Sequence, residues 1–479
     1  MLNEEIVDPT ILENARRTVG DFHHLIDSGL INKDGEFFPS LMYPTMMQYP
    51  PMKAEGFLDG YVPHEDSSCV YVHFPFCMMR CAFCHFPNVL GSTEGDKDVY
   101  LDHLEKEMDI SMSRFGVSRV KARSILLGGG TPTFISPAQM KRFFNFFTAR
   151  MDMTAMTQFS CDTSPFFLLG YEGRERLKIM RDAGVRRLAI GVQAFSDPIL
   201  KKMARHHNTA DSLRAISMAK EMGFKVNLEL ICGYPGETPE LWVDMVRQAL
   251  RCEVDEIIIY RLKILPMGVH TGAIYSLFDS RGNPLITNDE QIRLKAVAIG
   301  LLEQNGYHET MSRFFSKTPA DYSYYMSDWM GGQHDNLGFG LYSMTMLRDR
   351  FSQNTPDLKE YYAAIESGKM PIKTGAIRTR DQQLRRNISM PLKNMHLLKK
   401  QFRDITGADP GAVFGKKIQL LKDHGLLQED AEYLKLTKLG RFFADEIAQF
   451  FCHPDLLPFK KDKYKDGPLN PYVGYETEA

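Results

Sequence analysis

At 479 residues, with 43% hydrophobic and 25% charged residues, the chain is too long for one ordinary domain and has the balance of a globular enzyme, which excludes disordered, collagenous and coiled-coil classes. Its 58 Lys and Arg against 60 Asp and Glu leave a formal charge of -2, so no long-range field holds nucleic acid or an anionic membrane. No run approaches the roughly 18 apolar residues of a membrane span, and the start MLNEEIVDPT lacks the basic flank and apolar stretch of a signal peptide. A cytoplasmic monomer is expected.

Residues 1–65 read as an N-terminal arm: two helical stretches, then FFPSLMYPTMMQYPPMK (37–53), rich in Pro, Met and aromatics. Over 66–285 the text alternates between short β-rich runs and longer stretches of helical period. The runs are CVYVHF (69–74), SILLGG (124–129), QFSCDT (158–163), RLAIGV (187–192), VNLELI (226–231) and EIIIYR (256–261). Helices are predicted over 98–115, 136–151, 210–224 and 237–251. Strand followed by helix, six times over, predicts right-handed crossovers and an α/β fold built on a partial parallel (β/α)6 barrel, with its chemistry at the carboxyl ends of the strands.

Residues 286–384 read as a mixed α/β extension closing the barrel, with the turn-rich GGQHDNLGFGLYS at 331–343. Residues 385–479 read as a small winged-helix-like helical domain. Between Gly411 and Phe450 six Lys or Arg face six Asp or Glu, so this module lacks the basic face of a DNA reader and is expected to pack or act as a lid.

Eight cysteines are too few for a disulfide scaffold. Cys69, Cys161, Cys232, Cys252 and Cys452 stand singly among apolar neighbours, as small buried hydrophobes do. Cys77, Cys81 and Cys84 form CxxxCxxC in YVHFPFCMMRCAFCHFP, directly after the first strand. Three thiolates on one loop can ligate three irons of a four-iron, four-sulfur cluster and leave the fourth iron for a small molecule. The alternative is zinc, with His85 or His73 as fourth ligand.

The triplet, with Phe83 before its third cysteine, resembles the radical S-adenosylmethionine (SAM) superfamily. Together with LLGGGTPTF (126–134), GVQAF (191–195), LELICGYPGET (228–238) and LGFGLYS (337–343), it looks like the HemN-like branch. That branch contains oxygen-independent coproporphyrinogen III oxidase, the haem chaperone HemW, anaerobic haem-degrading enzymes, and two-SAM methyltransferases or cyclopropanases. The resemblance implies a [4Fe-4S] cluster on Cys77, Cys81 and Cys84, with one SAM or two. It also implies reductive cleavage of SAM to a 5'-deoxyadenosyl radical, with flavodoxin or ferredoxin as reductant.

It further assigns SAM contacts to Tyr71, Phe83, Gly129, Gly130, Thr131, Asp162, Gln193, Arg205 and Glu229, and places Tyr260 and Lys263 beside a second SAM. Asp162, Gln193 and Glu229 end the third, fourth and fifth runs as polar groups in apolar text, where each needs a partner. The branch usually has Glu on the third strand and Asp on the fifth, so the two acids are reversed in length here. His206, His207, His23 and His24 read as surface residues, and Gly338 and Gly340 as no dinucleotide fingerprint.

The oxidases usually extend the triplet to CxxxCxxCxC, whereas Phe86 stands at that place. The chaperones usually carry His-Asn before Tyr-Trp, which YYMSDWM (324–330) lacks. By elimination the sequence favours methyl or methylene transfer from a second SAM to an sp2 carbon. Oxidative decarboxylation of a porphyrinogen and haem carriage are the alternatives. The substrate is expected to be a small unsaturated, heteroaromatic or tetrapyrrole molecule.

Overall fold

A computed structural model describes residues 6–36, 38–40, 42–44, 48–61, 67–262, 286–318, 323, 326, 328 and 334–473. All six predicted runs are strands in the expected order: β1 (Ser68–Phe74), β2 (Val120–Gly129), β3 (Gln158–Thr163), β4 (Arg187–Gln193), β5 (Lys225–Cys232) and β6 (Glu256–Arg261). They pair in parallel, each with the next. Their crossovers are α2 (Glu94–Phe115), α3 (Pro137–Ala149), α4 (Gly170–Asp182), α5 (Asp197–Lys202) with α6 (Thr209–Glu221), and α7 (Pro239–Arg251).

Local chemistry sets the helix starts. Thr93 with Asp96 and Ser136 with Gln139 form capping boxes at α2 and α3, satisfying amides that the first turn leaves free. The strands are buried on both faces, as parallel strands under helices must be, so they read as near-continuous apolar runs.

The stretch predicted as turn-rich keeps its turn at 340–342 but also contains a strand. Asn336–Phe339 (β9) is a seventh parallel strand, hydrogen-bonded to β1 on the side opposite β2. Beyond it β10 (Met344–Met346), β11 (Arg350–Asn354) and β12 (Ile372–Ile377) run antiparallel. At the other edge β7 (His308–Met311) and β8 (Phe314–Ser316) add antiparallel to β6. The order is β12-β11-β10-β9-β1-β2-β3-β4-β5-β6-β8-β7, and among the described residues its two edge strands do not pair, which leaves the barrel open there.

Helix α1 (Pro9–Asp27) of the N-terminal arm packs on α8 (Asn288–Gln304). Its Ile11 and Leu12 join the barrel core, whereas Phe22, Leu25 and Ile26 join a second core with the C-terminal module. Helix α9 (Leu358–Glu366) packs on α2 and joins the barrel core; the module holds α10 (Arg380–Lys393), α11 (Lys399–Thr406), α12 (Pro410–Asp423), α13 (Lys438–Phe442) and α14 (Ala444–Phe450). A small antiparallel sheet of β13 (His396–Leu398), β15 (Tyr433–Leu436) and β14 (Leu427–Glu429) completes it. No described helix is long and apolar enough to cross a membrane.

Candidate active site at the mouth of the barrel

The cysteine loop leaves β1 and is closed at its base by Cys77 N–H donating to Val89 O (3.1 Å) and Val89 N–H donating to Pro75 O (2.8 Å). Ala82 N–H donates to Met203 O (3.0 Å), tying the loop to the segment after β4. The three thiols stand within electrostatic reach of one another. Burial pushes the Cys77 thiol up to about 11 and raises that of Cys84 as well. Such thiols stay protonated until a cation replaces the proton.

Each sulfur has a polar side chain beside it, and Cys84 Sγ also lies 3.9 Å from Phe86 O. Cys77 Sγ lies 3.6 Å from Thr131 Oγ1, Arg205 Nη1 lies 3.1 Å from Cys81 Sγ, and Asn88 Nδ2 lies 4.0 Å from Cys84 Sγ. Phe83 is half-buried against the barrel core. Among the described residues no three His, Cys, Asp or Glu side chains close on a single ion-sized point. A cluster does not ask for that, because its irons are separate and each takes one sulfur.

The glycine run after β2 crosses close to this loop. A Cβ on Gly130 would lie 2.7 Å from Phe76 O and 3.0 Å from Cys77 Sγ, and one on Gly128 would lie 2.8 Å from Asp162 Oδ2. Gly129 has φ +105°, and a Cβ there would strike the His73 ring. Any side chain would fill this cradle.

Asp162 and Glu229 face each other across the mouth. Both are half-buried, and both carboxyls are raised by loss of water; Asp162 is raised further by the charge of Glu229. Glu229 accepts from Tyr260 Oη (3.2 Å) and from the Gln193 amide, and Gln193 is held at φ 69°. Arg205 donates to Gly191 O (2.5 Å) as well as to Cys81, and its Nε is buried without a partner.

Tyr71 Oη and His73 Nδ1 are 3.1 Å apart at the end of β1. Burial pushes His73 down to about 3, so it is neutral, and its Nε2 has no partner. The chemistry present is therefore three thiols, a guanidinium, two carboxylates and a cradle free of side chains. That is a fitting set for an iron cluster and a small zwitterion.

Comparison with known proteins is consistent along the chain. The profile of the Radical SAM superfamily matches residues 71–249, and that of the HemN C-terminal domain matches residues 379–443. Residues 71–249 are a radical SAM domain. Among radical SAM proteins, the HemN-like branch is the one whose members the chain resembles. It is 26% identical to the heme chaperone HemW of Bacillus subtilis, over 79% of this chain and 97% of that protein. It is likewise 26% identical to the oxygen-independent coproporphyrinogen III oxidase of Escherichia coli, over 85% of this chain and 91% of that protein. The solved E. coli coproporphyrinogen III oxidase (HemN) superposes with a TM-score of 0.73 at 24% identity, covering 86% of this chain and 96% of that one. A radical SAM protein uses a [4Fe-4S] cluster and SAM, and the residues above suit both.

Of the residues singled out in the sequence, Tyr71, Phe83, Gly129, Gly130, Thr131, Asp162, Gln193, Arg205, Glu229 and Tyr260 lie around the strand ends with the three cysteines. Lys263 lies outside the described residues. His207 is a correction: it is buried, not on the surface, and its Nε2 lies 3.2 Å from Val192 O.

Sequence reasoning missed Tyr100 and Glu107 of α2. Tyr100 donates to His73 O (2.6 Å) and accepts from Leu341 N–H (3.0 Å). The buried Glu107 takes Gly340 N–H (2.7 Å), Tyr361 Oη (2.6 Å) and Asn354 Nδ2 (2.7 Å). Together they fix the end of β1 beneath the cluster loop. The signal was legible: positions 100, 104 and 107 share the apolar face of α2, and a Glu there is out of place.

Proposed function

We propose that this HemN-like radical SAM protein is an enzyme that oxidises a side chain of a tetrapyrrole carrying carboxylates, beginning with removal of a hydrogen atom. The carrying observation is the unpaired carboxylate couple, Asp162 and Glu229, beside the thiol loop. An ammonium group satisfies such a couple, whereas haem carriage has no use for it. The names of the relatives, a haem chaperone and a coproporphyrinogen oxidase, both concern tetrapyrroles.

When bound, the cluster and SAM supply a one-electron cleavage that yields methionine and a 5'-deoxyadenosyl radical. The chain's own part is positional. Arg205 braces Cys81 against the end of β4, Gln193 and Tyr260 hold Glu229, and the glycine run lets backbone approach the ligand. The Tyr100 and Glu107 bonds keep Tyr71 and His73 in place.

Methyl or methylene transfer, favoured by the sequence, has the weaker support. The sequence relatives named above are oxidases and chaperones. Of the two residues placed beside a second SAM only Tyr260 is described, and its hydroxyl is engaged with Glu229. Haem carriage remains the second reading, because Phe86 replaces the oxidases' further cysteine and the likeness to HemW spans 97% of that protein.

Product analysis separates the three. Anaerobically reconstituted protein, with SAM, a reductant, an electron acceptor and coproporphyrinogen III, is expected to give 5'-deoxyadenosine and an oxidised porphyrinogen without S-adenosylhomocysteine. Homocysteine product would favour methyl transfer. Stable haem binding without deoxyadenosine would favour carriage and sink the reading.

A further inference from the structure

Helix α10 is polar in sequence, yet every residue from Arg385 to Lys393 is buried. Its cations meet different fates. Arg385 holds Asp381 through Nε at 2.9 and 2.7 Å and donates to Phe451 O. Lys393 is paired with Asp445 and donates to Ser40 O at 2.7 Å. Arg386, only 3% exposed, makes no side-chain hydrogen bond or ion pair among the described residues, and its Nε is buried without a partner.

A second guanidinium stands near it. Arg378 donates from Nη1 to Leu347 O and Arg348 O (3.1 and 3.2 Å), but its Nε and Nη2 are buried and idle. The two arginines are within electrostatic reach of each other and of Asp335, and Arg378 also of Asp349. Those acids are spent elsewhere: Asp335 on the Tyr61 hydroxyl and Arg348 N–H, Asp349 on a bidentate pair with Arg350. Two buried guanidiniums with unused donors are costly unless something supplies the countercharge. Their planar forks suit carboxylates.

The guanidinium of Arg378 sits 5.2 Å over the Phe351 ring, and that ring lies 3.6 Å from the ring of Tyr49. Phe351 and Tyr49 belong to one apolar cluster with Phe314 and Met346. At its margin pack the half-buried Met344 and Tyr260, the residue bonded to Glu229. A continuous thioether and aromatic stretch thus runs from the reaction site to the two arginines.

We propose that Arg378 and Arg386 form a carboxylate-binding pair that anchors the acidic side chains of a flat, apolar polycarboxylate substrate whose body lies toward Tyr260. The flat body rests on the tetrapyrrole reading above; the anion site does not.

The test titrates full-length protein with coproporphyrin III and with its tetramethyl ester, followed by the Soret band. Arg378→Met and Arg386→Met are each expected to weaken the acid about tenfold or more, because the loss falls on a desolvated charge pair. Ester binding should stay within about twofold. Arg386→Met, which loses no hydrogen bond among the described residues, should also raise the Tm of ligand-free protein, since an uncompensated buried charge is removed. A merely structural arginine would give the opposite: a lower Tm, with acid and ester weakened alike, and that result overturns the proposal.

If neither porphyrin binds wild-type protein, the tetrapyrrole reading fails and the anion site is judged on glutarate. A glutarate-dependent rise in Tm that both variants lose supports the pair. No rise in wild type overturns it.

Discussion

Glu256 lies buried at the start of β6, while the half-buried Asp162 and Glu229 lie toward the carboxyl ends of β3 and β5, so one set of strands carries acids at both of its ends. At the lower end Glu256 is enclosed by four donors: Arg187, Asn227 Nδ2 (2.6 Å), Ser316 Oγ (3.3 Å) and Ser323 N–H (3.0 Å). At the mouth, among the described residues, Asp162 and Glu229 make no ion pair, loss of water raises both carboxyls, and the charge of Glu229 raises Asp162 further. Glu256 itself is fully donated to, although Arg187 Nε and Asn227 Oδ1 beside it are left without partners. The couple at the mouth has Arg187 and Arg205 within electrostatic reach but no ion pair, and loss of water makes that lack expensive. The acid with its cation in hand holds the scaffold together, and the acids without an ion pair mark where a cationic group goes.

The comparison can be broken at either end. Cys81→Ser should reduce 5'-deoxyadenosine formation to the cluster-free background in anaerobically reconstituted protein; retained cleavage would remove the reason to place the chemistry at the mouth. Arg187→Met should destabilise the fold by about 3–5 kcal/mol in chemical denaturation, because Glu256 is left as a buried charge without its cation. A loss below about 1 kcal/mol would mean the lower network is not closed in the sense argued.

Glu107 sharpens the contrast as a buried acid with donors but no cation. Its carboxyl is pushed up from 4.5 to about 7 by burial, against the pull of its three hydrogen bonds. The folded state therefore holds a proton that the unfolded chain releases. That contribution to stability is intact below about pH 4.5 and is lost as the pH rises to about 7, by roughly 3 kcal/mol in all. Glu107→Gln should flatten this slope in denaturation measured at several pH values. At the mouth, Asp162→Asn should weaken SAM binding about ten- to a hundredfold, roughly 1.4–2.8 kcal/mol, without destabilising the fold. A variant that loses stability and keeps SAM affinity would reverse the assignment of the two ends.

How much of this the sequence carried depended on whether the cause was local. The six parallel strands were legible because burial on both faces leaves an apolar run and the crossovers leave a helical period. The cysteine triplet was legible because its spacing is its chemistry. The seventh strand was not. It is four residues long and contains Gly338, where a Cβ would lie 2.4 Å from Met344 O, so close packing imposes a residue that reads as a turn.

Arg378 and Arg386 sit in AIRTRDQQLRR, which reads as a solvated face. Their burial comes from segments far away in sequence, and no local period announces it. His207 was misplaced for the same reason, since the element that covers it is not its own.

The central claim is that three sulfurs after β1 hold an iron cluster that a SAM molecule reaches. Anaerobically prepared protein should contain iron and sulfide, and the electron paramagnetic resonance signal of its reduced cluster should change when SAM is added. Zinc in place of iron, or a reduced cluster whose signal is indifferent to SAM, would contradict it.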